Sequence, residues 1–130
     1  MKILFLYTEL AEYTLACIKA LKYSSVSPEI LVIHYPVNPE APFNFNFSSI
    51  GKFVSIEHFL DYSMLRKEVD NFSPDKIVVS GWANKNYLRI CRYYRSKARC
   101  VLTMDNHWNG NIKQHILKNI FGITLKKIFT

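Results

Sequence analysis

The sequence has few of the residues that mark fibrous, linker-like, disulfide-stapled or membrane-spanning proteins. Its 130 residues include only 4 Gly and 5 Pro, which excludes collagen-like and linker-like composition. Three cysteines without a CxxC pair exclude a disulfide framework, and we expect buried, reduced thiols at Cys17, Cys91 and Cys100. No apolar run approaches the roughly 18 residues of a spanning helix, and the apolar start has no signal-peptide pattern. Since 130 residues match the common length of a single domain, we predict one soluble, cytoplasmic domain over residues 1–130.

Several sequence motifs of common functional sites are also missing. Neither GxGxxG, GxxxxGK[ST] nor GxSxG occurs, which argues against the usual dinucleotide, P-loop and serine-hydrolase sites. The four histidines have no metal-ligand spacing, so we expect no metal site. Nucleic-acid motifs are absent as well, and no nucleic-acid partner is expected.

What the chain has in excess is positive charge, and that charge lies in its second half. Residues 1–65 hold four basic and six acidic residues, whereas residues 66–130 hold thirteen basic and four acidic ones. Such polarity is typical of proteins with an anionic partner, and equally of a solvated basic face that has no partner.

Continuous apolar runs of strand length alternate with helical patterns along the chain. The predicted strands are Lys2–Tyr7, Glu29–His34, a short one near Lys52–Ile56, Lys76–Ser80 and Arg99–Met104. Runs that are apolar on both faces belong to strands covered on both sides, as in parallel sheets. We therefore predict an α/β fold: a doubly wound, mostly parallel sheet in a three-layer αβα domain.

Four helices are predicted between and after these strands. The first has two candidate apolar stripes: Leu10, Thr14, Cys17 and Leu21, or Ala11, Leu15 and Ile18. Asp61 or Ser63 is predicted to cap the second, which ends at Ser73-Pro74, and Asn84 to cap the third. The last begins at Asn109 or Asn111, carries Ile112, Ile116 and Ile120, and stops at Gly122.

The segment from Tyr35 to Ile56 departs from the alternation. It contains three prolines and the stutter Phe43-Asn-Phe-Asn-Phe47, so it is predicted to be an excursion loop before the short strand. The alternating Phe residues fit either an edge strand with buried rings or an exposed aromatic flap at a ligand site.

Polar residues and both tryptophans concentrate where the predicted strands end. In a doubly wound sheet, ligands bind outside the carboxyl ends of the strands, where the strand order reverses. A carboxylate, an amide and an imidazole together can orient sugar hydroxyls or a phosphate, and an indole can stack on a sugar ring or on a base. Helix capping and core packing are the alternative roles for the same side chains. The candidates are Thr8, Glu9, Ser80, Gly81 and Trp82, followed by Asp105, Asn106, His107 and Trp108.

Four segments together carry a resemblance to a known family: Met1–Leu10, Pro36–Phe43, Pro74–Trp82 and Thr103–Trp108. They resemble the amino-terminal half of bacterial group 1 (family 4-like) glycosyltransferases, which are retaining enzymes of two Rossmann-like domains, the GT-B fold. These enzymes act in capsule, lipopolysaccharide and exopolysaccharide assembly.

The resemblance implies that this chain is the acceptor-side domain and that the donor-binding domain is missing. Asp105, Asn106 and His107 would then be catalytic, and Thr8, Glu9, Ser80, Gly81, Trp82 and Trp108 would bind substrate. No cofactor is implied; the nucleotide-sugar donor is a substrate of the two-domain enzyme. The chain alone is expected to be inactive.

This sequence departs from the family pattern at two places. Many relatives have a Gly-rich loop after the first strand, where this chain has Thr8-Glu9-Leu10-Ala11, and a His-Asp pair where it has Asp105-Asn106. A family histidine role therefore does not transfer directly to His107.

The resemblance also implies a role for the basic last helix, because such domains often rest on anionic lipid near a lipid-linked acceptor. Lys113, Lys118, Lys126 and Lys127 would then contact the inner face of the cytoplasmic membrane. The same helix would equally suit packing on the missing domain. Two other functions are open: a non-catalytic subunit that recruits a catalytic partner to the membrane, and phosphate or nucleotide binding alone.

Overall fold

The computed structural model describes residues 1–36, 47, 49–103, 122 and 125–129. These residues form five strands and three α-helices, with one short 3-10 helix at Ile56–His58. In chain order they are β1 (Lys2–Tyr7), α1 (Glu12–Lys22), β2 (Glu29–His34), β3 (Lys52–Ser55), α2 (Tyr62–Phe72), β4 (Lys76–Ser80), α3 (Lys85–Tyr94) and β5 (Arg99–Thr103). All five predicted strands are confirmed. No helix among the described residues has the length and apolar character needed to cross a membrane.

The strands form one sheet in the order β3-β2-β1-β4-β5, and each neighbouring pair runs parallel. The first strand therefore lies at the centre, between β2 on one side and β4 on the other. The chain builds outward from β1 in one direction and then returns to build outward in the other. This order confirms the doubly wound, Rossmann-like α/β fold, with its switch point between β1 and β4.

Each central strand is buried on both faces, as its continuous apolar sequence predicts. Leu4 and Leu6 of β1 pack in a core shared with α2 and α3, whereas Ile3 and Phe5 pack in a second core with Ile18 of α1. Successive side chains of a strand point to opposite faces, so one strand contributes to both cores. The helices accordingly lie on both sides of the sheet, in three layers.

The exposure of Cys17 overturns one expectation about the cysteines. Cys91 and Cys100 are buried, but Cys17 is exposed. The buried residues of α1 are Thr14, Leu15 and Ile18, so the buried face takes residues from both predicted stripes and leaves out Cys17. Successive helical residues turn by about 100°, which carries Cys17 away from the side that Ile18 occupies.

Polar side chains cap α2 and α3 at their amino ends. Asp61 Oδ1 accepts the amide hydrogen of Met64 at 2.9 Å, so the structure selects Asp61 over Ser63 as the cap. Asn84 Oδ1 accepts the amides of Asn86 and Tyr87 at 2.9 and 3.0 Å, as predicted. At the other end of α2, Ser73 takes left-handed angles (φ 53°) and closes the helix.

Aromatic rings and charged groups join α2 to α3 on the outer side of the sheet. The Arg89 guanidinium lies 3.8 Å from the ring centre of Tyr62, and the Arg66 guanidinium lies 3.9 Å from that of Tyr93. Further along, the Tyr94 hydroxyl donates to Asp70 at 2.7 Å. These contacts hold the two helices side by side in parallel orientation.

Two predicted features fall largely outside the described residues. Of the stutter Phe43–Phe47, only Phe47 is described; it is half-buried and stacks on Phe53 with ring centres 4.3 Å apart. The predicted start and apolar stripe of the last helix also lie outside the described residues. Gly122 itself is helical, as are residues 125–126, so the predicted stop at Gly122 is wrong. Glycine adopts helical angles at a modest energetic cost, and a glycine alone does not end a helix.

The cap assignment predicts opposite results for two neighbouring substitutions. Asp61→Ala removes the acceptor for the Met64 amide and should lower the free energy of unfolding by about 1 kcal/mol. Ser63→Ala, in the first turn of the same helix, should change it by less than about 0.5 kcal/mol because Ser63 supplies no cap. Urea unfolding of both variants measures the difference, and an equal loss in the two would contradict the assignment.

Candidate functional site

A cavity of about 620 Å³ opens at the carboxyl edge of the sheet, between the ends of β1 and β4. Thr8 and Glu9, which follow β1, line one side, while Gly81 and Trp82, which follow β4, line the other. The strand order reverses between these two strands, and this is where doubly wound proteins bind ligands. The cavity is the candidate site, and we refer to it as the crevice.

The structure brings five of the nine predicted site residues together around the crevice: Thr8, Glu9, Ser80, Gly81 and Trp82. The other four, Asp105, Asn106, His107 and Trp108, lie outside the described residues. The grouping follows from parallel pairing, which places the carboxyl ends of β1 and β4 at the same edge. Their roles in binding substrate stay predictions.

A side-chain bond ties the two walls of the crevice at its base. The amide of Thr8 donates to the Ser80 hydroxyl oxygen at 2.9 Å, and the hydroxyls of the two residues are 3.4 Å apart. Because the last β1–β4 register pair joins Leu6 to Val79, this bond extends the junction beyond the regular ladder. It fixes the width of the crevice at the point where the strands separate.

Gly81 turns the chain out of β4 and toward the crevice. Its φ is +78°, in the region that favours glycine, and its amide donates to the carbonyl of Thr103 at 2.9 Å. The Thr103 hydroxyl in turn donates to the Val79 carbonyl at 3.1 Å. A Cβ at Gly81 would meet no atom within 4 Å, so the backbone angle, and not space, is what requires glycine here.

The sequence analysis missed several residues that line the crevice. Tyr7 and Thr103 are the last residues of their strands, and Tyr13 and Thr14 lie in the first turn of α1; Ala11 and Ala83 complete the lining. Position at a strand end was the available signal for Tyr7 and Thr103. For the α1 residues, no sequence signal fixed which side of the helix start faces the crevice. Burial raises the pKa of the Tyr7 phenol, and a hydrogen bond with Thr103 opposes that shift.

The amino end of α1 differs from those of α2 and α3. Its N-cap is Ala11, and no side chain there accepts a hydrogen bond from the first turn. The partial positive charge of a helix start favours acceptor groups, and this start lies beside the crevice. Glu9 is the one charged side chain among the described residues that line the crevice.

A buried tyrosine, Tyr87, contacts the backbone at the end of β1, beside the crevice. Tyr87 is fully buried in α3, and its hydroxyl lies 3.4 Å from the carbonyl oxygens of Tyr7 and Ile33, at the ends of β1 and β2. Tyr35 packs edge-on against its ring and accepts a hydrogen bond from Asn84 Nδ2 at 2.8 Å. The cap of α3 and the ends of two central strands are thereby linked. Burial is the main cause that raises the pKa of Tyr87.

Both histidines that the structure describes have a ring nitrogen close to a backbone carbonyl oxygen. His34 is buried, and its Nδ1 lies 2.6 Å from the carbonyl oxygen of Tyr35. His58 lies 3.2 Å by the same atom from the carbonyl of Ser55. Across the part of the chain that the structure describes, no three His, Cys, Asp or Glu residues gather as a metal site would require.

Comparison with protein-family models gave no match for this chain, and comparison with curated proteins gave no significant match.

The turn at Gly81 predicts a graded response to substitution. Gly81→Ala should lower the free energy of unfolding by about 1–2 kcal/mol, because an L-residue with a Cβ is strained at this φ. Gly81→Asn should lose less than the alanine variant, since asparagine tolerates left-handed angles better. Urea unfolding of the two variants tests the order, and a larger loss for asparagine would contradict it.

The buried phenol predicts a pH-dependent effect of Tyr87→Phe. At neutral pH this variant should lose about 1 kcal/mol of unfolding free energy with its hydrogen bonds. Above the ordinary tyrosine pKa of 10.0, the unfolded chain ionises Tyr87 while the folded chain keeps it protonated. Ionisation then favours unfolding of the parent protein alone, so the difference between parent and variant should shrink as the pH rises.

Urea unfolding of both proteins at neutral and alkaline pH measures this change. A difference that stays constant, or grows, across the range would show that Tyr87 is not held protonated by the fold.

Proposed function

We propose that the chain is the acceptor-side domain of a glycosyltransferase, which transfers a sugar from a nucleotide-sugar to a glycan or lipid-linked acceptor in cell-surface polysaccharide synthesis. Its partners under this proposal are a donor-binding domain and the acceptor. Transfer takes place in the cytoplasm, at the inner membrane face when the acceptor is lipid-linked, and it requires both the acceptor-side and the donor-binding domain.

The observation that carries the proposal is the chemistry of the crevice. Its lining includes six hydroxyl groups, one carboxylate and one indole: Tyr7, Thr8, Tyr13, Thr14, Ser80, Thr103, Glu9 and Trp82. Sugar sites combine hydrogen-bonding groups that accept and donate with a flat aromatic surface for the ring. Under the proposal the Glu9 carboxylate accepts hydrogen bonds from sugar hydroxyls, and the half-buried Trp82 adds aromatic surface to the lining.

The same lining disfavours a site built for a nucleotide alone. No lysine or arginine is among the described residues of the crevice, and the charge of Glu9 repels a phosphate. The uncapped start of α1 supplies amide donors, which serve a sugar oxygen as well as a phosphate oxygen. A neutral, polyhydroxylated acceptor fits these features better than a dianion.

The proposed catalytic residues are Asp105, Asn106 and His107, which follow β5 in the sequence. Thr103, the last residue of β5, lines the crevice, and Asp105 comes two residues later. We propose that these side chains, with Trp108, orient the acceptor hydroxyl and the donor sugar beside the bond that forms. No general base is assigned, since retaining transfer does not require a dedicated one.

Sugar binding to the chain tests the proposal directly. Saturation-transfer NMR with neutral mono- and disaccharides should show contact from the sugars, and added uridine diphosphate should not displace a bound sugar from the crevice. Glu9→Gln should weaken sugar binding by about tenfold, because a charged acceptor makes the stronger hydrogen bonds.

Glu29→Gln is the matched control, since Glu29 is an exposed carboxylate at the opposite edge of the sheet. Equal sugar binding by the two variants, or displacement of the sugar by the nucleotide, would overturn the assignment. The alternative function, a non-catalytic subunit that recruits a catalytic partner to the membrane, predicts no contact with sugars.

A further inference from the structure

A second, smaller cavity lies at the amino edge of the sheet, where α3 ends and β5 begins. Its volume is about 230 Å³, and its lining includes Arg95, Lys97 and Arg99, with Ile128 also in contact. Arg99 pairs with Lys76 at the start of β4, whereas the crevice lies beyond the other ends of these strands. The two cavities are therefore on opposite edges of the sheet.

Positive charge predominates around this cavity; the neighbouring acid is Asp75, whose backbone carbonyl accepts the Arg99 amide at 3.1 Å. Residues 76–104 contain seven basic residues and no acidic residue. Arg95, Lys97 and Arg99 are exposed, and none of the ion pairs found among the described residues includes them. Lys126 and Lys127 are exposed as well and directly precede Ile128, which is buried against the cavity.

Tyr93 contacts the ammonium group of Lys97, one of these cations. The Lys97 ammonium lies 3.2 Å from the Tyr93 hydroxyl and 4.5 Å from the centre of its ring. Hydrogen bonds with Lys97 and then Arg66 lower the pKa of the Tyr93 phenol, which is consistent with a positive local potential. Lys97 is thus oriented by the protein, although it lies at the surface.

Helix termination does not account for three cations here. The carbonyl of Tyr94, at the end of α3, already accepts the backbone amides of Lys97 at 2.7 Å and Ala98 at 2.8 Å. The helix dipole contributes about half a negative charge at this end, which is much less than the charge of three neighbouring cations. A net positive cavity remains.

We infer that this cavity binds a phosphate group, carried by a small molecule or by a lipid headgroup. Its volume lies below the range of about 300–1,000 Å³ typical of sites that enclose a whole ligand, so it suits a single charged group. Arginine presents a planar fork of donors that matches two phosphate oxygens, and lysine adds a point charge. The site is separate from the crevice and does not depend on sugar binding there.

Calorimetric titration of the 130-residue chain with inorganic phosphate and pyrophosphate, at constant ionic strength, tests the inference. Saturable binding is expected, and the double variant Arg95→Gln/Arg99→Gln should weaken it by about tenfold or more. Lys67→Gln/Lys85→Gln removes the same charge from exposed positions outside the cavity and should bind as the parent does. Circular dichroism checks that each variant is folded.

Flotation with vesicles distinguishes the two sources of the phosphate. Binding to phosphatidic acid in phosphatidylcholine, competed by pyrophosphate, identifies a lipid headgroup; pyrophosphate binding without vesicle binding identifies a small molecule. Absence of saturable binding to every probe, or equal weakening in both double variants, would overturn the inference. Sugar binding in the crevice should be unchanged in Arg95→Gln/Arg99→Gln, so this result and the proposed function fail independently.

Discussion

The parallel pairing of β1 with β4 is the contact on which the rest of the structure depends. Residues 3–6 meet residues 76–79, so the pairing joins parts of the chain that are more than seventy residues apart. It places β1 at the centre of the sheet, with a core on each face, and reverses the strand order at this junction. The crevice forms because, beyond this pairing, the chain turns from β1 toward α1 on one face of the sheet and from β4 toward α3 on the other face. The Thr8–Ser80 hydrogen bond lies just beyond the paired residues, where the two sides of the crevice separate.

Much of this fold could be predicted from the sequence because its strands carry a strong signal. Runs such as residues 30–33 are apolar at every position, which is typical of strands covered on both faces, and their short length favours a strand over a buried helix. The cap of α2 was predictable to within two candidates, since Asp61 and Ser63 both have the required oxygen. The hydrogen bond from the Met64 amide to Asp61 decides between them. The side that α1 buries was less certain, because its two apolar stripes overlap, and Cys17 fell on the exposed side as a result.

The candidate site was predictable where it consists of strand ends and less so elsewhere. Thr8, Glu9, Ser80, Gly81 and Trp82 follow strands, and the rule for doubly wound sheets brings such residues to one crevice. Which α1 residues line the crevice depends on where the helix begins. No side chain caps this helix, so the sequence contains no capping residue that marks its first turn. The position of Gly81 directly after β4 predicts it at the site, and its positive φ is the physical reason for a glycine there. The stop predicted at Gly122 failed because glycine permits a turn without requiring one.

The central claim is that the ligand site lies at the switch point between β1 and β4, and amide chemical-shift mapping during a sugar titration tests it most directly. The largest shifts should fall on Thr8, Glu9 and the amides from Ser80 to Ala83, with little change at the opposite edge of the sheet. Shifts centred on Arg95–Arg99, or spread evenly over the chain, would contradict it.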